Sequence, residues 1–162
     1  MKTSLFQNVL VLINGSEASI EAVRYGVVLA KYSKCNLRAL YVVDTATLKQ
    51  LTLNKFFVEE ESLDFEKSLR NDGVKYLKYA EEIAKAKGIK IETEIRSGSV
   101  WGETIAVASE MKSDLILVSG LEQKQDKIHA VATMSYHELM KHAHCSVLMV
   151  RNENIEKLYE NI

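Results

Sequence analysis

The sequence contains no proline among its 162 residues. A chain without proline has no X-Pro bond, which excludes slow cis–trans switches at such bonds and turns that need proline's fixed φ. It has only two cysteines, Cys35 and Cys145, and their separation fits neither a disulfide framework nor a zinc-ligand motif. Because no signal-peptide pattern opens the sequence either, we expect a cytoplasmic protein.

Strong charge of one sign and long apolar segments are also missing. The 21 basic and 22 acidic residues leave a net charge of -1, which gives no reason to expect nucleic acid or an anionic membrane as a partner. An apolar run such as residues 9–13 is far too short to span a bilayer. With 47% apolar and 27% charged residues, the chain has an ordinary globular composition and the length of one domain.

What the sequence does contain is an alternation of short apolar runs and longer helical patterns. Four helices are predicted between five strands, which lie at residues 9–13, 37–43, 89–96, 115–118 and 147–150. The second helix, from residue 63, carries an apolar stripe of Phe65, Leu69, Tyr76, Ala80 and Ile83. The fourth is predicted to face inward with Ile128, Val131, Ser135, Leu139 and His142. Residues 45–62 show no clear period, so we expect an irregular excursion with one helical turn around 54–57. Because crossovers between parallel strands are right-handed, the alternation predicts an α/β fold, a doubly wound parallel sheet with helices on both faces.

Two of the predicted strands differ in the arrangement of their apolar residues. In residues 89–96, isoleucine or threonine alternates with a charged residue. This period of two predicts an edge strand, one face of which meets solvent or polar neighbours. Residues 115–118 read LILV and are apolar on both faces. They predict a central strand that helices cover on both sides.

Several segments together resemble the universal stress protein family. They are VLVLINGSEASI at residues 9–20, LYVVD at 40–44, and the closing pair DLILV at 114–118 and HAHCSVLMVR at 142–151. The resemblance covers residues 5–151 in the family's order and spacing. It implies one domain over residues 1–151, a separate tail over 152–162, and a five-stranded parallel sheet of order 3-2-1-4-5. It also implies a non-catalytic module in the stress response.

The resemblance further implies a nucleotide site, and most of its glycine loop is missing here. In ATP-binding members, glycines after the fourth strand let backbone amides approach the phosphates, and a hydroxyl follows the last glycine. In this sequence Glu122 and Gln125 match two of those glycines, the last Gly-Ser falls near Ala132 and Thr133, and Gly120 remains. We expect the added side chains to disfavour phosphate. Like charge from Glu122 and Asp126 costs about 1–4 kcal/mol, of which Lys124 and Lys127 could offset a part.

The family's acidic residue after the first strand, which helps to hold ribose or a phosphate-bound metal, is matched by Asn14. An amide forms hydrogen bonds but brings no charge to Mg²⁺, which prefers carboxylate and phosphate oxygens. The stretch Asn14-Gly15-Ser16 is either a surviving half-site at the switch point of the sheet or only a turn and a helix cap. We therefore expect no bound cofactor, with ATP or AMP and magnesium as the alternative. The residues that would then form the site are Asn14, Gly15, Ser16, Val43, Ser119, Gly120 and Thr133.

Other side chains have a structural and a functional interpretation. His142, His144 and Cys145 are metal-ligand types, but the family uses this stretch structurally, so we expect no metal site. Trp101 either stacks on a ligand or partner or caps the core. The acidic residues 59–61 are expected to be a solvated flank.

The last strand and the tail suggest an assembly. Residues 147–150 are apolar on both faces, yet the last strand of a 3-2-1-4-5 sheet lies at an edge. An exposed apolar edge pairs with another chain unless something covers it. We therefore predict a homodimer through Val147, Leu148, Met149 and Val150. The tail has apolar residues at helical spacing and is expected to pack on a neighbouring chain or to fold over this edge.

The sequence was also searched for side chains that could form a catalytic site. No nucleophile, base and acid can be placed together, and no paired carboxylates lie at opposing strand ends. The sequence therefore predicts that the protein is not an enzyme and acts through dimerisation and contacts with unknown proteins. The alternative is a stress sensor that binds ATP or AMP through a remodelled loop.

Overall fold

The strands form one parallel sheet in the order β3-β2-β1-β4-β5, and the predicted doubly wound α/β fold is confirmed. The structure is a computed structural model, which describes residues 4–120, 127–151 and 153–162, with the backbone alone at 127–134. The elements are β1 (Asn8–Ile13), α1 (Glu17–Ser33), β2 (Asn36–Val43), α2 (Thr45–Leu53), α3 (Glu59–Lys85), β3 (Ile91–Ser97), α4 (Val100–Glu110), β4 (Leu115–Ser119), α5 (Lys127–His142), β5 (Ser146–Val150) and α6 (Ile155–Glu160).

Side-chain alternation along the strands divides the core into two layers. Val9 and Val11 of β1 belong to a cluster with α1 and α3. Leu10 and Leu12 belong to a second cluster with α4 and α5. Because both faces of β1 and β4 are covered, the strands are apolar on both faces over residues 9–13 and 115–118. The predicted central position of residues 115–118 is confirmed, since β4 lies between β1 and β5.

The predicted edge position of the third strand is also confirmed, and its charged face meets polar neighbours. Arg38 of β2 contacts Glu92 at 2.6 Å and Glu94 at 3.2 Å. Arg96 binds Glu94 at 2.7 Å and also pairs with Glu110 of α4. The hydrogen bonds that Arg96 donates to Glu110 and, second, to Glu94 raise the pKa of its guanidinium. The alternation in β3 therefore places a ladder of ion pairs between the sheet edge and α4.

Residues 45–62 are more regular than the sequence indicated. Among the described residues, five helices rather than the predicted four lie between the strands, and α2 is the additional one. Asp44 caps α2 by accepting a hydrogen bond from the Thr47 N–H at 3.0 Å. The helix buries only Leu48, so it has no apolar stripe that a period would reveal. The turn predicted around 54–57 is the connection between α2 and α3. The first turn of α3 carries three exposed glutamates, which the helix dipole favours there.

The tail forms the short helix α6, which packs on α1 and α3 of its own chain. Ile155 is buried. The Tyr159 hydroxyl donates a hydrogen bond of 2.7 Å to the carbonyl of Ile83 in α3, and the Lys87 ammonium lies 4.8 Å from the centre of its ring. The helix thus lies in the layer of α1 and α3. Within the described residues, no helix is both long and apolar enough to cross a membrane.

Asp114 joins the beginning of β4 to the chain that enters β1. Its carboxylate accepts hydrogen bonds from the backbone N–H of Gln7 at 2.7 Å and of Asn8 at 3.2 Å. Replacing Asp114 with alanine should lower the free energy of unfolding by about 1–2 kcal/mol, because two partly exposed charge-assisted hydrogen bonds are lost. Urea unfolding measures this difference. Asp114→Asn keeps one acceptor and should be intermediate; an alanine variant as stable as the wild type would contradict the assignment.

Candidate functional site

The candidate site lies at the carboxyl ends of β1 and β4. The connections that leave these two neighbouring strands lead to opposite faces of the sheet. After β1 the chain enters α1, and after β4 it leads to α5. Ligands of open α/β sheets bind at such a switch point. Gly15 has a φ of 81°, a conformation that glycine adopts without strain. The Ser16 hydroxyl caps α1 by accepting a hydrogen bond from the Ser19 N–H at 3.1 Å.

The side chain of Asn14 uses all of its hydrogen-bonding capacity within the protein. Its Oδ1 accepts bonds from the Ser16 N–H at 3.0 Å and from the Ser16 hydroxyl at 2.6 Å. Its Nδ2 donates to Ser119 Oγ at 3.4 Å and to the Tyr136 hydroxyl at 3.2 Å. A side-chain amide has two acceptor and two donor positions, and these four contacts occupy them. Asn14 therefore holds the strand ends and α5 together.

Tyr136 is a member of this network that the sequence analysis missed. Its side chain is 5% exposed, and its hydroxyl lies 3.3 Å from Ser119 Oγ. Burial raises the pKa of the Tyr136 phenol, against the opposing effect of the hydrogen bonds from Ser119 and Asn14. The phenol therefore stays neutral at physiological pH. In the inward stripe predicted for α5, Leu139 is buried as expected. Ser135 is only partly buried and His142 is exposed, and Tyr136, next to Ser135, is buried instead. The sequence signal that could have identified Tyr136 was a tyrosine next to the predicted stripe, since its ring can be buried while its hydroxyl forms hydrogen bonds.

A pocket of about 240 Å³ lies beside this network, over the carboxyl ends of β1 and β2. Of its fifteen lining residues, nine are Leu, Ile, Val or Phe. Phe57, between α2 and α3, and Phe65 of α3 line it, and their ring centres are 5.9 Å apart. Phe65 was predicted to face the core and is instead 44% exposed. Asn14 and Tyr136 form the polar end of the pocket.

Asp44 is the one charged residue among the described residues that line the pocket. Both of its carboxylate oxygens already accept hydrogen bonds from Thr47, Oδ1 from the N–H at 3.0 Å and Oδ2 from the hydroxyl at 2.6 Å. The described walls thus provide no cation for a phosphate. They provide apolar surface and neutral hydroxyl and amide groups.

The structure brings only some of the residues predicted for the nucleotide site close together. Ser119 is fully buried and joins Asn14 and Ser16 in the network. The side chain of Val43 lies in the core layer of α1 and α3, away from the pocket lining. Gly120 lies against Arg151, whose Nε would be 3.3 Å from an added Cβ. Glu122 and Gln125 lie outside the described residues, as do the side chains of Ala132 and Thr133.

The cluster near the end of α5 is built around Trp101. Its ring stacks on His142, with the ring centres 5.4 Å apart, and it packs against the core layer of α4 and α5. The inward prediction for His142 was wrong, because this side chain is 47% exposed and contacts Glu138 at 3.2 Å. Cys145 is half-buried, and burial raises the pKa of its thiol. The described residues contain no group of three potential ligands that could hold a metal ion.

Comparison with known proteins matches residues 5–151 to the model of the universal stress protein family. A universal stress protein of Methanocaldococcus jannaschii is 28% identical over 94% of this chain and 86% of its own length. Universal stress protein YxiE of Bacillus subtilis is 30% identical over 91% of this chain and 100% of its own. The crystal structure of a universal stress protein in complex with cAMP superposes with a TM-score of 0.67 at 21% identity, over 91% of this chain and 99% of that one. The fold, the order of the strands and the family match agree, and this chain belongs to the universal stress protein family.

Proposed function

We propose that the protein is a non-catalytic module of the stress response that acts as a homodimer through β5 and through contacts with other proteins. In this proposal it has lost the family's ATP binding and is not an enzyme. Its place of action is the cytoplasm, in keeping with a cysteine-poor chain that has no disulfide pattern.

The observation that carries the proposal is that the side chain of Asn14 already forms its full set of hydrogen bonds within the protein. Its four hydrogen-bonding positions are taken by Ser16, Ser119 and Tyr136, so a ribose or a hydrated metal would have to displace a bond within the protein. Asp44, the charged group of the described lining, would repel a phosphate. Glu122 and Gln125 add side chains where a phosphate loop needs close backbone approach.

A second candidate function is a nucleotide-dependent sensor that uses a remodelled loop. The pocket at the switch point favours it, and so does the structural neighbour that binds cAMP. This candidate and the first differ in one measurable property, the affinity for adenine nucleotides.

Titration calorimetry with ATP and magnesium tests the proposal. We expect a dissociation constant weaker than about 100 μM, because each 1.4 kcal/mol lost to missing backbone contacts and repulsion weakens binding about tenfold. The double variant Glu122→Gly with Gln125→Gly should bind more tightly, since it restores close approach of the backbone. Low-micromolar binding by the wild type would establish the sensor instead.

A matched variant separates the two causes of weak binding. Glu122→Ala with Gln125→Ala removes the charge but keeps the Cβ atoms. If steric exclusion dominates, the glycine pair gains affinity and the alanine pair does not. Equal gains would assign the effect to charge. Chromatography of the denatured wild-type protein gives an independent check, and we expect no released nucleotide.

A further inference from the structure

Exposed apolar side chains are concentrated in one short stretch of the chain. Of the eleven large apolar or aromatic residues that are exposed in the described part of the chain, five lie within residues 53–65. They are Leu53, Phe56, Val58, Leu63 and Phe65, with exposures from 44% to 73%. Single exposed apolar residues are ordinary on a protein surface, whereas a group of them beside polar residues marks a site of interaction.

Two of these residues, Leu53 and Leu63, line the same groove between α2 and α3. The groove has a volume of about 420 Å³. Its walls include Leu48, Lys49 and Leu53 of α2 and Glu59, Leu63 and Glu66 of α3. The α3 positions are four and three residues apart, a spacing that places side chains on one face of a helix. Of the described residues, only Leu48 lines both this α2–α3 groove and the pocket over β1 and β2.

The helical walls of the groove determine the shape of a partner that fits it. The backbone N–H and C=O groups along α2 and α3 are bonded within each helix, so an extended peptide finds no strand edge to pair with. A helix satisfies its own backbone groups and packs its side chains between those of its neighbours. The nine residues of α2 make the groove roughly 13 Å long, enough for about two turns of a docked helix.

The α3 wall of the groove is negatively charged. Residues 59–66 contain five carboxylates and no basic residue. None of these carboxylates forms an ion pair with another described residue. Lys49, on the α2 wall, is the one basic residue among the described residues that line the groove. Lysine or arginine on the side of a partner that faces α3 is therefore attracted, and acidic residues there are repelled.

We infer that the α2–α3 groove binds an amphipathic helix of another protein. The apolar face of this helix lies against Leu53 and Leu63, and its lysine or arginine residues lie beside Glu59 and Glu66. Apolar contact supplies the buried area, while the carboxylates orient the helix and speed its association. The inference rests on the proposed function, because it specifies the kind of protein with which this module makes contact.

Fluorescence anisotropy with a labelled synthetic peptide tests the inference on the full chain. The probe is a leucine–lysine peptide of about eighteen residues, long enough to be helical, with its leucines on one helical face. We expect saturable binding with a dissociation constant below ~100 μM. A leucine–glutamate peptide with the same apolar face should bind at least about tenfold more weakly, and so should a leucine–lysine peptide whose leucines are scattered around the helix. Equal binding of either peptide contradicts the inference.

Substitutions in the apolar walls locate the binding site. Leu53→Ser with Leu63→Ser should weaken binding of the leucine–lysine peptide by about tenfold or more. The matched control is Val74→Ser with Leu158→Ser, because these side chains are 56% and 47% exposed and do not line the groove. The affinity of the control should stay within about twofold of the wild type. All four side chains are already exposed, so circular dichroism should show an intact fold in both variants.

A second pair of variants tests the role of charge. Glu59→Gln with Glu66→Gln should weaken binding by about fivefold at low ionic strength and by less at high salt, where the attraction is screened. Glu82→Gln with Glu156→Gln removes the same charge from exposed positions that do not line the groove, and should leave the affinity within about twofold. Equal losses in the two pairs would assign the effect to net charge and contradict the pairing at Glu59 and Glu66.

The outcomes separate this inference from the proposed function. Absence of saturable binding, or equal binding by Leu53→Ser with Leu63→Ser and by its control, overturns the inference and leaves the dimer through β5 and the loss of ATP binding standing. Low-micromolar ATP binding overturns the proposed function but not the groove, since the peptide titration contains no nucleotide. If the two serines instead lower the mass measured by light scattering, a second copy of the chain occupies the groove, and the inference is overturned.

Discussion

Replacing Gly73 with alanine should lower the free energy of unfolding by about 3 kcal/mol, at the upper end for overpacking a core. The direction is the reverse of what the sequence indicates, because glycine to alanine inside a helix ordinarily stabilises by about 1 kcal/mol. Gly73 lies in the middle of α3 and is buried against β2 and β3. A Cβ there would be 2.5 Å from Cδ1 of Tyr41 and 3.0 Å from Cδ1 of Ile95.

The ring of Tyr41 cannot yield without cost, because it is almost fully buried in the core layer of α1 and α3. It is 4% exposed, and burial raises the pKa of its phenol to about 12. Tyr41 also lines the pocket over β1 and β2. A displaced ring would therefore alter the pocket as well as the core.

Chemical denaturation with a double-mutant cycle measures the effect of Gly73. In the Tyr41→Leu background the main clash is absent, and Gly73→Ala should cost about 1 kcal/mol or less, or become stabilising through helix propensity. Val74→Ala is the control on the same helix, since Val74 is 56% exposed and should change stability by at most about 0.5 kcal/mol. Gly73→Ala at wild-type stability would show that α3 does not approach β2 as closely as described.

The sheet was predictable because its signals are local and strong. The alternation in β3 is visible in the sequence, and the structure explains it through the ladder of Arg38, Glu94 and Arg96. The continuous apolar run in β4 reflects burial on both faces. In contrast, α2 buries only Leu48, so its helical period cannot be recognised from the sequence. The sequence indicated only that Asp44 ends a strand, and the structure shows that it also caps the N-terminus of α2.

The candidate site was predictable only where strand ends determine it. Asn14 and Ser119 follow from the ends of β1 and β4, which meet at the same edge of a parallel sheet. Tyr136 could not be assigned, because its place depends on how α5 is rotated about its axis. The predicted stripe included Leu139, which is buried, but took Ser135 in place of its neighbour Tyr136. Phe57 lies in a connection with no periodic signal. The pocket forms where segments far apart in the sequence come into contact, so the pattern within any one segment could not predict it.

The free edge of β5 is the feature that most directly predicts an assembly. Among the described residues, β4 pairs with one edge of β5 and no strand pairs with the other. Leu148 packs towards α1, and Val147 and Met149 pack towards α4 and α5, but all three stay half-exposed. The helix α6 packs on α1 and α3 through Ile155 and Tyr159. The β5 edge thus keeps unpaired backbone groups beside apolar side chains, a template for another strand.

A second copy of the chain, related by a twofold axis, would pair with β5 antiparallel and cover both edges with one self-complementary surface. We therefore expect light scattering to give twice the chain mass of 18.3 kDa at ~50 μM protein, since the dimer fraction depends on concentration. A proline at Leu148 or at Met149, whichever amide points away from β4, deletes a hydrogen bond in each copy. Two such bonds are worth about 2 kcal/mol, or roughly thirtyfold in the dissociation constant.

Alanine at the same position is the matched control, because it shortens the side chain but keeps the N–H. It should leave the dimer largely intact, whereas the proline at the outward position gives monomers with a wild-type circular dichroism spectrum. Proline at the inward position breaks a bond to β4 and lowers the melting temperature, so the two positions can be told apart without knowing the register of the dimer. A wild-type chain that is monomeric at ~50 μM would refute pairing through β5.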